Sequence, residues 1–299
     1  MLPPDHNLRL TRAHQSLTGL SVGDAFGEQF FVPGAEGRID HRQTLKPPWR
    51  YTDDTEMALS IIQVLTEIGT IDQDLLALYF GNRYHRNPNR GYGTGAHRIL
   101  RAIVAGTNFR KIVSTIFEGQ GSMGNGAAMR AGPIGAYFAT DPPDSIVQQA
   151  ALSAQVTHAH PDGIAGAVAI SLASAYAVTH PLSAPGWNTD FLDFIIDHTP
   201  ASDTLTGIQR ARSFQSHCST ITAAAMLGNG SKATSSDTVP FALWCASHHL
   251  NNYEESLWQT VSALGDRDTT CAIVGSITLL SAPPNTLPID WLMAREHLE

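Results

Sequence analysis

Thr52-Asp53-Asp54-Thr55 and Asp266-Arg267-Asp268-Thr269 each set two carboxylates beside threonine hydroxyls, at points more than two hundred residues apart in the chain. Each segment runs directly into an apolar stretch with helical spacing. Carboxylates at adjacent or alternate positions, with a hydroxyl next to them, form a hard-oxygen set of the kind that holds Mg²⁺ or Mn²⁺. Neither segment contains histidine or cysteine, which argues against zinc. Taken singly, each could instead be a helix N-terminus, where an acidic side chain caps free N–H groups and meets the favourable end of the dipole. One acid suffices for that, and both segments carry two. Four carboxylates drawn together would repel one another, whereas two divalent ions about 3.5–4 Å apart would neutralise them and activate a bridging water.

Two glycine-rich stretches add a second kind of chemistry. Gly91-Tyr92-Gly93-Thr94-Gly95 precedes an amphipathic stretch, Ala96 to Ile103, and Gly121-Ser122-Met123-Gly124-Asn125-Gly126 precedes Ala127-Ala128-Met129-Arg130. Both read as loops entering helices. Such loops offer backbone N–H groups to an anion and let a phosphate approach closely. Neither is a dinucleotide fingerprint or a Walker A sequence, and an ordinary glycine-rich turn remains the alternative for each. Thr157-His158-Ala159-His160-Pro161 places two histidines before a helix rich in small residues, where one of them is expected to cap or pack. Gly228-Asn229-Gly230 reads as a turn leading to a helix around Val239 to Leu243. His85, His97 and the pair His248-His249 receive no role.

The elements that must position these residues are helical. Met57, Ile61, Val64, Leu65 and Ile68 form one period-3.6 stripe, and Ile164, Val168, Ser171, Leu172 and Ala175 form another. Sustained period-2 alternation is scarce. Small residues such as Gly163, Gly166, Ala167 and Ala173 allow close helix approach, so an all-α fold is predicted. Proline and glycine mark loops at Val32 to Trp49, Asn87 to Gly95, His180 to Thr189 and Pro283 to Pro288. The first is the longest and lies just before Thr52, which makes it a candidate lid over a site or else a solvated connector. If the two acidic segments share one centre, the chain between them must fold around it, and residues 1–299 are expected to form a single domain.

Composition narrows the partners. Of 299 residues, 42% are apolar, ample for a sizeable core. A formal charge of −8 and an isoelectric point near 5.9 argue against a bare nucleic-acid backbone or an anionic membrane and favour a small ligand or a protein. Cys218, Cys245 and Cys271 are odd in number and widely spaced, which fits a reducing cytoplasm better than a disulfide framework. The opening, Met1 to Arg12, is polar and proline-containing, so no secretory leader is expected there. The longest apolar run, Gly163 to Val178, is interrupted by serines and reads as a buried helix, since a membrane span needs about 20 residues.

With these pieces in order the chain resembles the ADP-ribosylglycohydrolase family, which includes the dinitrogenase reductase-activating glycohydrolases and the eukaryotic ADP-ribosyl-acceptor hydrolases. The resemblance runs nearly end to end. It is carried by Gly23-Asp24-Ala25-Phe26-Gly27, Tyr51-Thr52-Asp53-Asp54-Thr55, Arg90-Gly91-Tyr92-Gly93, Gly124-Asn125-Gly126-Ala127-Ala128-Met129-Arg130, Thr157-His158 and the Asp266 to Thr269 segment. It implies an all-α fold around a dinuclear Mg²⁺ site, with Mn²⁺ as a substitute, held by Thr52, Asp53, Asp54, Asp266, Asp268 and Thr269. It further implies that Gly91, Tyr92, Gly93 and Gly95, with Ser122, Met123, Gly124, Asn125 and Gly126, bind the ribose and diphosphate of ADP-ribose, and that His158 lies beside the same ligand. Two departures stand out. Arg267 replaces the small hydroxyl residue usual in Asp-Thr-Asp-Thr or Asp-Ser-Asp-Thr, where it could balance charge, contact substrate or point outward. Phe31 stands where many relatives carry a mobile glutamate, with Glu28 one turn earlier.

The reaction so implied is hydrolysis at the anomeric carbon of a ribose attached to a protein side chain, through an oxocarbenium-like transition state and attack by metal-activated water. Asp53, Asp54 and Asp268 are the expected catalytic residues. Asp24 is either an accessory to this segment or a helix cap. Some arginine-directed relatives also lack the glutamate, which tilts the expected linkage toward ADP-ribosyl-arginine. The partner is then an ADP-ribosylated protein or an ADP-ribose-containing small molecule. Two other readings remain open: a non-catalytic ADP-ribose binder or structural protein, since the family includes a lens crystallin, and a metal-dependent phosphoesterase that cuts the diphosphate.

Overall fold

The computed structural model describes residues 2–180, 188–283 and 286–299. Its elements are α1 (His6–Glu28), α2 (Ala35–Asp40), α3 (Asp53–Ile68), α4 (Gln73–Arg86), α5 (Thr94–Val104), α6 (Phe109–Val113), α7 (Gly132–Tyr137), α8 (Pro143–Gln155), α9 (Pro161–Thr179), α10 (Thr189–His198), α11 (Asp203–Arg212), α12 (Thr220–Leu227), α13 (Ser235–His248), α14 (Tyr253–Val261), α15 (Arg267–Ser281) and α16 (Ile289–Ala294). Among the described residues the only β-type pairings are two isolated bridges, Trp49 with Arg295 and Gly124 with Thr234. The all-α prediction therefore holds for these residues.

The stripe on α3 buries Met57, Ile61, Val64 and Leu65, but Ile68 is exposed. It sits in the last turn, just before Gly69, whose φ of 73° closes the helix in the left-handed conformation. The apolar run around Gly163 becomes α9, which starts two residues earlier because Pro161 suits a first helical turn. At 19 residues α9 is long and apolar enough to cross a membrane, yet 83% of its most apolar window is buried inside the protein. Val168, Ser171, Leu172 and Ala175 are buried and Ile164 is half-buried, as expected of a central helix surrounded by others.

One close helix pairing shapes everything around the acidic segments. Gly19, Gly23 and Gly27 lie one turn apart on α1. A Cβ built at each would stand only 2.1, 2.2 and 2.1 Å from the carbonyl oxygens of Gly275, Cys271 and Arg267 on α15. Only hydrogen fits there, so the two backbones pack in direct contact. The C-terminal end of α1 is thereby laid against the first turn of α15, where Arg267 and Asp268 stand. The same helix carries Asp24, which reaches across to the start of α3.

Several loop expectations change. Val32 to Trp49 is not one long loop, since it contains α2, and its end is tied to the last part of the chain: Trp49 N donates to Ala294 O at 2.7 Å and Glu296 N to Trp49 O at 2.9 Å. The Gly228–Gly230 turn is present, with φ of 94° and 85° at its two glycines, but it leads to a helix that begins at Ser235 and carries Pro240 within it. Most of the His180 to Thr189 loop, and Pro284 and Asn285 of the last one, lie outside the described residues.

Candidate active site

The two helices that carry the acids begin differently, and at neither is Asp53, Asp54 or Asp268 the N-cap residue. Thr52 is the N-cap of α3, extended at φ −112° and ψ −160°, with its Oγ1 accepting from Asp54 N at 3.4 Å. Behind it, the fully buried Asp24 accepts from Thr52 N at 2.9 Å, Thr55 N at 3.1 Å and Thr55 Oγ1 at 2.5 Å. Asp24 is therefore a capping group supplied by a second helix. At α15 the N-cap position falls to Asp266, whose side chain makes no capping bond. Its Oδ2 instead accepts from Asn125 Nδ2 at 2.7 Å, and the same amide donates to Thr238 Oγ1 at 3.0 Å. Asn125 thus ties the second glycine-rich stretch to the second acidic segment.

A cavity of about 530 Å³ lies between these elements, lined by Asp53, Asp266, Asp268 and Thr269 and by both glycine-rich stretches. That volume is typical of a site for a small organic ligand. Gly91, Gly93, Gly95, Ser122, Met123, Gly124, Asn125, Gly126 and His158 all line it. Tyr92 does not. Its ring is buried against Tyr84, with centroids 5.1 Å apart, and that aromatic contact turns it away from the ligand role expected of it. Asp54 and Thr52 are also set back from the wall. Asp54 is 1% exposed, and its Oδ2 accepts from Thr52 Oγ1 at 2.8 Å.

Local anchors explain how the glycine stretches reach the site. Arg90 Nη1 donates to Tyr51 O at 3.0 Å, its guanidinium stacks 4.2 Å from the Tyr51 ring, and it pairs with Glu296. This holds the following Gly91, at φ 90°, so close that a Cβ there would meet Asp53 Oδ1 at 3.3 Å. Gly93 is the N-cap of α5, and Gly95 already lies inside that helix rather than in the loop before it. In the second stretch, Asn125 N donates to Ala233 O at 3.1 Å and Ser235 N to Met123 O at 2.9 Å, joining it to the 231–235 segment. The helix expected at Ala127 to Arg130 is a single 3₁₀ turn, Asn125–Ala127. Arg130 then turns inward.

Beneath the cavity Arg130 is 1% exposed, and burial lowers its pKa to about 9. It donates to Gly126 O at 2.9 Å and to Thr157 Oγ1 at 2.9 Å. Thr157 Oγ1 lies 2.7 Å from His158 Nδ1, and burial, reinforced by Arg130, brings the histidine's pKa down to about 3. His158 is accordingly neutral at physiological pH. Arg130 and Thr157, quoted above only as motif residues, also line the cavity, as do Phe117, Gln120 and Lys232, which were not singled out beforehand. Nothing in the local spacing marks these last three, because it is the meeting of distant segments that brings them there.

The carboxylates are near enough to disturb one another strongly. Burial first, then Asp24, raises both Asp53, to about 8, and Asp54, to well above the ordinary range. Burial, then Asp266 and Asp24, does the same to Asp268. Among the described residues no three His, Cys, Asp or Glu side chains close around a single point as a finished metal cage. The donor set nevertheless fits a hard divalent cation. Asp54 Oδ1 and Asp268 Oδ1 are buried oxygens with no hydrogen-bond partner, and a cation is what would satisfy them and relieve the repulsion.

Both departures from the family pattern come together in one contact. The Arg267 guanidinium donates to Phe30 O at 2.8 Å and lies 4.4 Å from the Phe31 ring centroid, in cation–π geometry. It does not line the cavity. Glu28 is half-buried, with its pKa raised by burial, and it too is absent from the lining. No residue of the Val32 to Trp49 segment borders the cavity, so that segment is not a lid over it.

Comparison with known proteins extends over the whole fold. The sequence profile of the family described as ADP-ribosylglycohydrolase matches residues 5–298. The chain is 27% identical to ADP-ribosylhydrolase ARH3 of Xenopus tropicalis, across 96% of this chain and 91% of that protein. It is 26% identical to ADP-ribosylhydrolase ARH3 of Homo sapiens, across 97% and 90%. A solved structure titled ADP-ribosylglycohydrolase-related protein complex superposes with a TM-score of 0.64 at 21% identity, covering 96% of this chain and 93% of the other, a likeness of fold.

Proposed function

The chain belongs to the ADP-ribosylglycohydrolase family and is an enzyme of that class, and from that premise we propose that it hydrolyses the bond between ADP-ribose and a modified protein side chain with the help of two Mg²⁺ ions, Mn²⁺ serving in their place. The observation that carries this reading is a single cavity that brings Asp53, Asp266, Asp268 and Thr269 together with two glycine-rich stretches and His158. An acidic set alone would suit many metal hydrolases. Joined to an anion-receiving backbone surface, it suits a phosphorylated sugar whose anomeric carbon must meet the acids.

Asp53, Asp54, Asp266 and Asp268 are the carboxylates that would hold the ions, with Thr52 and Thr269 contributing hydroxyls. When bound, Mg²⁺ neutralises the acid set and supplies the Lewis acidity that makes water nucleophilic at neutral pH. The chain's own residues bind and orient the rest. Gly91, Gly93, Gly95 and the Ser122 to Gly126 segment receive the ribose and diphosphate, and His158 contacts the same ligand. Asp53 and Asp268, both facing the cavity, stabilise positive charge at the anomeric carbon as the leaving group departs. Asp24 and Asn125 also hold the two acidic segments in place. Because Arg267 does not line the cavity, blockage of the site by its charge gives no support to a purely binding role. Three unpaired thiols, two of them buried, suit a reducing cytoplasm.

The test is release of free ADP-ribose from arginine-linked and serine-linked ADP-ribosylated peptides, with Mg²⁺ or with EDTA. The arginine linkage is proposed first because Phe31 stands in place of the glutamate. Metal-dependent release from either peptide identifies the linkage. AMP as the product would replace this reading with that of a phosphoesterase, and tight ADP-ribose binding with no release from any linkage would replace it with that of a binder.

A further inference from the structure

Arg130 is buried among groups that can only accept from it or pack against it. Besides Gly126 O and Thr157 Oγ1, it donates to Ser153 O at 3.2 Å, and the Phe80 ring centroid lies 4.6 Å from its guanidinium carbon. A guanidinium has no acceptor atom, so in the 2.9 Å contact with Thr157 the hydroxyl oxygen must accept. The one hydrogen of that hydroxyl then has His158 Nδ1, at 2.7 Å, as its acceptor. If Nδ1 carried the ring hydrogen instead, the Thr157 hydroxyl hydrogen would be buried without a partner, an arrangement that folded proteins avoid. A neutral imidazole bears a single N–H. With Nδ1 accepting, that N–H is at Nε2.

The ring is held in one orientation as well as in one tautomer. Gly163, in the first turn of α9, backs it so closely that a Cβ there would stand 2.8 Å from His158 Cδ2. Nε2 lies near the glycine-rich stretch, where a Cβ at Gly124 or Gly126 would stand 3.4 or 3.6 Å away. Burial and the adjacent cation keep the ring from charging.

We infer that Arg130 and Thr157 are positioning residues that fix His158 as an Nε2–H donor aimed into the cavity, so that this subsite receives a deprotonated oxygen, such as that of a diphosphate, and refuses a cation. The identity of the ligand rests on the ADP-ribose reading above, while the tautomer does not. His158 on this view is no general base, since its free electron pair faces Thr157 and not the ligand.

Long-range ¹H–¹⁵N correlation of the imidazole nitrogens in the wild-type protein at pH 7 tests the tautomer directly. A lone Nε2–H form is expected. An Nδ1–H form or an imidazolium would overturn the inference. Thr157→Val should release the lock and weaken ADP-ribose binding, measured by calorimetry, about tenfold, with Thr157→Ser restoring it to within about twofold. Equal affinity in the Val variant and the wild type would overturn the positioning role. Should Thr157→Val fail to fold, the wild-type spectrum still decides. An Nε2–H ring in a protein that does not bind ADP-ribose would uphold the lock and overturn the ADP-ribose reading instead.

Discussion

Asp53 and Asp268 face the cavity, and their pKa values are raised by burial and by other carboxylates, so they bear both on chemistry and on repulsion. Replacing either with alanine should lower kcat by about 10²–10³-fold, the scale of removing one electrostatic stabiliser from a site. The same variants should melt no lower than the parent in EDTA, because each removes a buried carboxyl whose ionisation is opposed by burial and by its acidic neighbours. A drop of several degrees would contradict that account. Asn125 lines the cavity and also supports Asp266. Asn125→Ala leaves Asp266 without its 2.7 Å donor and should weaken Mg²⁺ binding or turnover about 10–100-fold, the usual effect of losing a support behind a metal ligand. Asn125→Asp should be worse, since it sets a second carboxylate against Asp266. At this scale the two acidic segments stood out in the sequence by residue type and spacing, and the cavity is lined by Asp53, Asp266 and Asp268, whereas His158 was singled out as a ligand neighbour only through the family resemblance. The placement of Tyr92 was not legible, because the direction of its ring is set by Tyr84, which belongs to another helix. Asp24 lay between two readings until its contacts with Thr52 and Thr55 showed it to be a cap.

Two helices followed from period and punctuation: α3 ends at Ile68, the last residue of its stripe, and α9 begins two residues before Gly163, at Pro161. Two elements did not follow. Ala127 to Arg130 looks like the start of a helix, yet Asn125 is bound to Thr238 and Asp266, and the chain makes only a 3₁₀ turn there. Val32 to Trp49 contains α2, and tertiary bonds near Ala294 and Glu296 fix where it ends. The α1 and α15 pairing offers the sharpest test among the elements. Gly23→Ala would set a methyl group 2.2 Å from Cys271 O and must push the two backbones apart. Overpacking of this kind costs about 1–3 kcal/mol or more, readable by denaturant titration. Gly27→Ala should add a loss of activity, since Arg267 O is what it meets and Asp268 follows directly. Gly37→Ala, with nothing within 4 Å, is the control and should be near neutral.

For the molecule as a whole the acid cluster makes stability depend on pH with a definite sign. Asp24 is raised from 3.8 to about 6 and Asp53 to about 8, so the folded protein holds these protons more tightly than the unfolded chain does. The stability they contribute is complete below about pH 4 and is lost as pH rises through 6 and 8. The melting temperature of metal-free protein should therefore fall across this window through these groups. Added Mg²⁺ should raise it more at pH 8 than at pH 5, because proton and cation compete for the same oxygens. A scanning fluorimetry series with and without Mg²⁺ checks both, and a melting temperature that climbs toward pH 8 and ignores Mg²⁺ would contradict them. The glycine seam between α1 and α15 also sets the order of events during synthesis. A nascent chain that has emerged as far as α14 already holds Asp24, Asp53 and Asp54, yet the groove along Gly19, Gly23 and Gly27 has nothing to fill it. Contacts spanning so much sequence form late, and domains of this size pass through partly folded states on the way. A chain ending at α14 would lack Asp266, Asp268 and Thr269 and would leave the glycine face of α1 without the helix that packs on it.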